Sequence, residues 1–380
     1  MENNGQISGR GQLSAPGSLE SGAIVAPDAP RVPDQDLGEL AAQYGLKLSG
    51  ARPSLHAYIV TLWQRRHFIV GYATARNVSM YTEAKLGQIW QVLTPILNAC
   101  VYYLIFGLLF DTARAVDHFP AFLVVGVFVF AFTERSIVTG STVMRVNIQL
   151  IRALYFPRAS LPLAYVIVEL QQMLLGMGVV TIVMLASGQY PSWYWLLIIP
   201  AVILQTMFNT GAALIVARMG GAVADVSELI PFVLRISRYF CGVMYLIITV
   251  VSNRPTWVGQ VLSLNPIAVY ISLVRVGFMS SYRTQSAGNL PYNAANCQAF
   301  LKDAGGPLTK TQVAQLAQHG VTTQNGAPIH VGTTNVGLQA FCHAIVTNND
   351  LWIAAAGWGV VVFAIGIVFF WQAESVYGRG

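Results

Sequence analysis

The residues that could do chemistry in this chain are few, and the most informative stand inside apolar runs: Glu134 with Arg135, Glu169, and Asp225 with Glu228. An ionisable group at membrane depth is costly and faces a bundle interior or a water-filled path. Glu134 and Arg135 read either as part of a pathway or gate, or as a structural ion pair with a neighbouring helix. Glu169 fits a polar tie between helices as well as a functional group. Asp225 and Glu228, close to the cytoplasm, suit solvation or the N-terminal end of a helix. Catalysis finds little support. The sequence holds no Gly-Lys pair, so it has no P-loop, and it shows no His/Cys/carboxylate cluster with metal-ligand spacing, no G-x-S-x-G elbow and no paired Asp motif for a sugar-nucleotide enzyme. No catalytic residue, metal ligand or cofactor is expected in this chain.

Aromatic rings form a second group: Tyr81, Trp90, Tyr102, Tyr103, Phe106 and Phe110, with Tyr102, Phe106 and Phe110 on one stripe at four-residue spacing. They read as an interfacial belt with lipid-facing Phe, or as a channel wall offering flat apolar faces to sugar rings. A third group lies in Asn147-Ile-Gln-Leu-Ile-Arg-Ala-Leu-Tyr-Phe-Pro-Arg158, a short amphipathic turn of helix stopped by proline and flanked by arginines. Its apolar residues either lie on the membrane surface or insert into a groove on a partner. Cys100 and Cys241 fall in apolar segments and read as small buried hydrophobes. Cys297 and Cys342 share a long polar loop. If that loop is extracytoplasmic, a Cys297–Cys342 disulfide would close a loop of about 45 residues, worth roughly 4 kcal/mol.

The elements that must position these groups follow from composition. With 54% hydrophobic and 10% charged residues in 380 positions, the chain cannot hide its apolar surface in one water-soluble core, where about a quarter of residues carry charge. The bilayer must be the solvent for most of it. A net charge of +6 would suit nucleic acid, but the basic residues sit between apolar runs and form no stripe, so no nucleic-acid partner is expected. Six apolar stretches are long enough for a hydrocarbon core of about 30 Å: Ile89 to Phe110, Phe119 to Thr139, Leu161 to Leu185, Trp193 to Ala217, Leu229 to Val251 and Leu351 to Trp371. The fold class is an all-α polytopic membrane protein.

Residues 1–50 are rich in Gly, Pro, Ser, Asn and Gln and read as a disordered cytoplasmic tail without a cleaved signal. Over 51–87, Leu55, Tyr58, Ile59, Leu62 and Trp63 keep helical spacing while Arg65 and Arg66 take other faces, the pattern of an interfacial amphipathic helix, with a bend at Gly71. Residues 88–281 hold five spans and then Pro255 to Ser281, read as re-entrant outer helices hinged at Asn265 and Pro266. Residues 282–350 form a small extracytoplasmic cap, with one helix around Lys310 to Gln318 and short strands. Residues 351–380 are the sixth span and a cytoplasmic tail. Arg145, Arg152 and Arg158 lie in one short loop and Arg218, Arg235 and Arg238 in another, whereas the opposite loops hold one Arg and no Lys. The basic loops are therefore expected inside, with both termini in the cytoplasm of a multi-pass plasma-membrane protein.

Several segments together resemble a known family. Arg76-Asn-Val-Ser-Met-Tyr81 through Leu86-Gly87, Trp90 and Pro95 resembles the approach to the first span of permeases from type-two ABC exporters of polysaccharide, the O-antigen, teichoic-acid and galactan exporter group. Tyr155-Phe156-Pro157-Arg158 followed by Pro162 is similar to that family's cytoplasmic coupling element, and Asn265-Pro266 ahead of Arg275 to its re-entrant outer segment. The likeness covers about residues 55–280 and 350–375. The family usually has Asp where Asn77 stands, and the cap has no counterpart in simpler members.

The resemblance implies a half-transporter: two copies of this permease with two copies of an ATPase subunit that holds Mg-ATP, moving a lipid-linked polysaccharide outward through the membrane lipid. It implies that Asn147, Leu150, Ile151, Arg152, Tyr155, Phe156, Pro157 and Arg158 couple to the ATPase. Trp63, Arg65, Arg66 and Arg76 would belong to a gate helix, the aromatic stripe would line the channel, and Asn265, Pro266 and Arg275 would close its outer mouth. A galactan on a polyprenyl diphosphate suits the basic character and the cap. Two other readings are a permease for a small lipid or drug and a membrane-embedded glycan transferase.

Overall fold

The computed structural model describes residues 54–80, 89–109, 118–154, 156–245, 261–262, 264–279, 323–324, 327–328 and 348–374. All belong to the compact unit Arg52–Gly380. Tyr81, Phe110, Tyr155, Cys297, Cys342, the tail 1–50 and most of 282–350, including the helix expected around Lys310, lie outside the described residues.

The amphipathic segment forms two helices, α1 Leu55–Gln64 and α2 Arg66–Ser79. Ser54 accepts from the Ala57 amide to start α1. The helix is interrupted at Arg65, which leaves helical geometry at φ −89°, ψ 11°. Gly71, where the bend was expected, lies inside α2: flexibility permits a bend but does not cause one when the flanking turns pack on one surface. Tyr58, Leu62, Ile69, Ala73 and Asn77 supply the buried face, while Trp63 is 70% exposed.

Helix α3, Ile89–Tyr102, contains Pro95 and continues as a π-helical stretch over Tyr103–Leu109. The centre of the bundle is α4, Phe119–Val146, buried on nearly every face. A short helix α5, Ile148–Ala153, leads to α6, Ser160–Ala186. A 3-10 turn, Trp193–Leu197, opens α7, Ile198–Ala222. Helix α8 spans Ala224–Phe240, α9 Pro266–Phe278, and α10 Asn348–Gln372. Strands β1 Thr323–Gln324 and β2 Ala327–Pro328 pair antiparallel in the cap region.

Among the described residues, four helices are long and apolar enough to cross a membrane: Phe119–Val146, Ser160–Ala186, Trp193–Ala222 and Asp350–Gln372. The other two expected spans differ. The first is a shorter apolar helix, Val92–Leu108, distorted by Pro95 and the π stretch. The fifth was expected to run to Val251, but α8 stops at Phe240 and Gly242 takes a left-handed φ of 64°, a conformation glycine adopts without Cβ strain. Helices α7 and α10 touch backbone to backbone, because a Cβ on Gly211 would come within 2.3 Å of the Val362 carbonyl oxygen, and one on Gly366 within 2.4 Å of the Gly211 oxygen. Such small-residue contacts allow the close packing that substitutes for a hydrophobic drive in lipid.

Candidate functional site

Of the charged residues flagged in the sequence, Glu134, Arg135 and Glu169 meet between α3, α4, α6 and α8, whereas Asp225 and Glu228 are exposed near the start of α8. Glu134, close to the middle of α4, forms an ion pair with Arg238 of α8, and both side chains are about a fifth exposed (23% and 20%). Arg238 also donates to the Tyr102 hydroxyl at 2.6 Å and lies 5.1 Å from the Phe130 ring centre. Arg238 is therefore no loop residue: its guanidinium is held at the depth of Glu134 by a carboxylate, a phenol and a ring. Arg135 turns the other way along α4 and donates to Gln172 of α6 at 3.1 Å. Glu169, one turn before Gln172 and 7% exposed, has Arg135 as its facing charge. Its Oε2 accepts no hydrogen bond among the described residues.

These groups border two cavities. The larger, about 200 Å³, is lined by Thr94, Asn98 and Tyr102 from α3, Phe130, Glu134 and Arg135 from α4, and Arg238 from α8. The smaller, about 10 Å³ and so near the size of one water, lies between Arg135, Glu169, Gln172 and Pro95. Arg135 and Pro95 border both. Thr94, Asn98 and Tyr102 follow one another at four-residue spacing, so they share a face of α3. Tyr102 was expected on the channel wall, whereas Thr94 and Asn98 are the part of the stripe that the sequence analysis missed. Polar residues at helical spacing within an apolar run would have shown it.

Of the aromatic candidates, Tyr102 faces the cavity, Tyr103 lies against Phe119 with ring centres 6.2 Å apart, Phe106 packs on the core, and Trp90 is exposed. Tyr81 and Phe110 are outside the described residues.

Behind Val243, which lines the larger cavity, stands α9. Asn265 caps that helix by accepting from the Ile267 amide at 3.0 Å, and Pro266 opens it, its missing N–H costing nothing at a first turn. Arg275, 2% exposed, donates to Phe122 O from Nε and Nη2 and to the carbonyls of Gly242 and Val243 at 2.8 Å each. Its plane lies 3.4 Å from the Phe122 ring centre. The carbonyls freed where α8 ends are thus satisfied by one fork, and Val243 lines the cavity.

The segment Asn147–Arg158 divides into an inner and an outer face. Asn147 is buried, donating to Val143 O and the Tyr165 hydroxyl and accepting from Tyr72 at 3.1 Å. Ile151 and Phe156 point into a cluster with Tyr58, Leu62 and Met144, and the Phe156 ring lies 5.9 Å from that of Phe68. Leu150, Pro157 and Arg158 are half-buried, whereas Val146, Ile148, Arg152 and Leu154 are exposed. Arg145 is exposed beside them. On the amphipathic helices, Arg65 and Arg66 are exposed, with Arg66 stacked 5.4 Å from Trp63. Arg76 lies over Tyr165 at 4.2 Å and so fastens α2 to α6. Asn77 donates to Gln171 of α6 at 3.1 Å.

The larger cavity presents hydroxyl, amide, carboxylate and guanidinium groups beside an aromatic wall, a set suited to hydrogen-bonded recognition. Residues 70–279 match the ABC-2 type transporter family. The chain is similar to the O-antigen export system permease protein RfbA of Myxococcus xanthus, 24% identical over 222 residues, covering 58% of this chain and 81% of that protein. It is also similar to the protein of the same name from Klebsiella pneumoniae, 25% identical over 201 residues, or 53% of this chain and 75% of the relative.

Proposed function

The chain belongs to the ABC-2 type transporter family, and from that premise we propose that it is the membrane subunit of an exporter carrying a lipid-linked polysaccharide outward, powered by an ATPase on a separate chain. The observation that carries the proposal is the likeness to O-antigen export permeases, together with the family match over residues 70–279, which takes in the polar cavity. A cavity with Asn98, Thr94, Tyr102, Glu134 and two guanidinium groups suits sugar hydroxyls, which exchange hydrogen bonds with water for hydrogen bonds with the wall. Two copies of the chain would enclose the path, and two ATPase subunits holding Mg-ATP would drive it. The topology is six spans with both termini inside. It is supported by the gathering of Arg145, Arg152, Arg158 and Arg218 at the bundle end where Arg218 meets Phe369 O and Ser227 donates to Ser141 O. A polyprenyl-linked galactan is the glycan we favour, its diphosphate meeting these arginines.

Coupling requires that nucleotide binding favour one permease arrangement over another, since a ligand with equal affinity for both shifts nothing. Val146, Ile148, Arg152 and Leu154 offer the outward face where that difference enters. Leu154 is 53% exposed, so Leu154→Asp is expected to leave the melting temperature of the purified chain nearly unchanged, within about 0.5 kcal/mol of stability. It should cut recovery of the ATPase subunit on affinity purification to a small fraction. Undiminished recovery would remove this face from the coupling surface.

The function itself is tested by purifying the tagged chain in mild detergent and reconstituting it with whatever ATPase accompanies it. The expected result is an ATPase subunit in equal amount, with hydrolysis stimulated by a long lipid-linked glycan. Stimulation by small amphiphiles alone would assign the chain to lipid or drug transport. No ATPase in any detergent would overturn the proposal.

A further inference from the structure

The start of α6 carries an unusual cap. Ala159 stands at its N-cap position, has no side chain able to accept, and makes no side-chain cap bond. The amides of Arg158 and Ala159 precede the first intrahelical bonds and need other acceptors. They find them far away in sequence. The Arg158 amide donates to Glu374 Oε1 at 2.9 Å, and the Ala159 amide donates to the Tyr58 hydroxyl oxygen at 3.2 Å. The Tyr58 hydroxyl in turn donates to Glu374 Oε2 at 2.7 Å, which closes the ring, and the Arg158 guanidinium donates to the Glu374 carbonyl. A carboxylate at a helix N-terminus also complements the dipole.

The ring joins three elements through buried or half-buried polar groups. Tyr58 belongs to α1, Arg158 ends the segment that leaves α5, and Glu374 follows the last turn of α10. Beneath it lie Ile151, Phe156, Leu62 and Phe370 in one apolar cluster. Burial holds the Glu374 carboxyl above its ordinary range, and the same cause raises the Tyr58 hydroxyl. Two oxygens of one carboxylate, one phenol and the bond from the Arg158 guanidinium to the Glu374 carbonyl hold the corner, so its rigidity rests on few atoms.

We propose that Glu374 is a positioning residue for transport, which clamps the segment Asn147–Arg158 to the amphipathic helix and to the last membrane helix so that a displacement of the segment moves all three as one body. The proposal rests on the permease function above. Without the clamp, motion delivered to Ile148 and Leu154 would be absorbed as local sliding of the segment over the apolar cluster, whose contacts have no direction. With it, the displacement reaches α1 through Tyr58 and α10 through the backbone of Glu374.

The test uses the full chain with its ATPase in proteoliposomes, measuring glycan exported per ATP hydrolysed. Glu374→Ala and Tyr58→Phe are each expected to lower that ratio on the order of fivefold, with ATP hydrolysis near the wild-type rate. Glu374→Gln keeps an acceptor oxygen for the Arg158 amide and is expected to recover most of the ratio, and the Tyr58→Phe/Glu374→Ala pair should be no worse than either alone. A wild-type ratio in Glu374→Ala, or a parallel fall of export, hydrolysis and folded yield that Gln does not rescue, overturns the proposal. Hydrogen exchange on the same variant in detergent decides it independently. Protection of 55–62 and 148–158 should fall together in Glu374→Ala, and unchanged protection in either segment counts against the clamp. Absence of any ATP-driven export by the wild type would instead defeat the permease function and leave the exchange result to judge the clamp.

Discussion

Arg275→Ala is expected to remove most folded protein from a detergent extract, and Arg275→Lys to recover only part of it. The guanidinium is 2% exposed and serves three buried carbonyls, those of Phe122, Gly242 and Val243. Phe122 O lies within α4 and keeps its helical position, but the Gly242 and Val243 carbonyls left without a donor cost about 1–3 kcal/mol each, and the emptied volume adds to that. The total lies above about 4 kcal/mol, in the exceptional range for one substitution, and is comparable with the whole stability of an ordinary domain, about 5–15 kcal/mol. Lysine supplies a point charge without the planar fork and reaches fewer of the carbonyls. Gly126→Ala strikes the same place from the other side, because its Cβ would lie 2.4 Å from Arg275 Nη2. The measurement is the monodisperse fraction on gel filtration with its melting temperature. An Arg275→Ala chain that elutes and melts like the wild type would show that the break after Phe240 is held by something else.

That break also marks where sequence reading stops. Hydropathy located α4, α6, α7 and α10 to within a few residues at most ends, because their apolar length is a local property. Helix α4 outran its expected end at Thr139 because Gly140, Ser141 and Val143 continue it by packing on neighbours, Gly140 against Ala213 and Ser141 accepting from Ser227. The fifth span was misjudged for the opposite reason. Its sequence stays apolar past Phe240, and what ends the helix is a left-handed Gly242 whose carbonyl goes to an arginine on a later element. Arg238 was assigned to a basic loop because charge argues for water, yet its partner Glu134 lies 104 positions away. Pairing of that kind has no local period. The same holds for Asn147 and Phe156, which composition placed in an exposed amphipathic turn and which tertiary contacts turn inward. Thr94 and Asn98 differ from these, since their four-residue spacing ahead of Tyr102 was in plain view.

Glu134→Ala is expected to reduce export more than tenfold and to destabilise the chain, and a second substitution separates the two effects. Removing one partner of a sheltered ion pair strands the other charge. Arg238 keeps the Tyr102 hydroxyl and the Phe130 face, and a fifth of its surface remains accessible, so the cost is held to about 2 kcal/mol, below the range for fully buried pairs. Adding Arg238→Met to Glu134→Ala withdraws both charges. Exchanging a buried pair for apolar side chains is close to neutral for stability, so the double variant should melt near the wild type. If the cavity serves only to hold α4 against α8, the double variant also exports normally, and the polar lining has no part in transport. If the cavity meets sugar hydroxyls, the double variant folds and still exports poorly, because Thr94, Asn98 and Tyr102 then face a path that has lost its carboxylate and one of its two guanidinium groups. The comparison works because the helix-to-helix tie is an energy of the folded chain alone, whereas passage of a polar chain depends on the groups the wall presents to it.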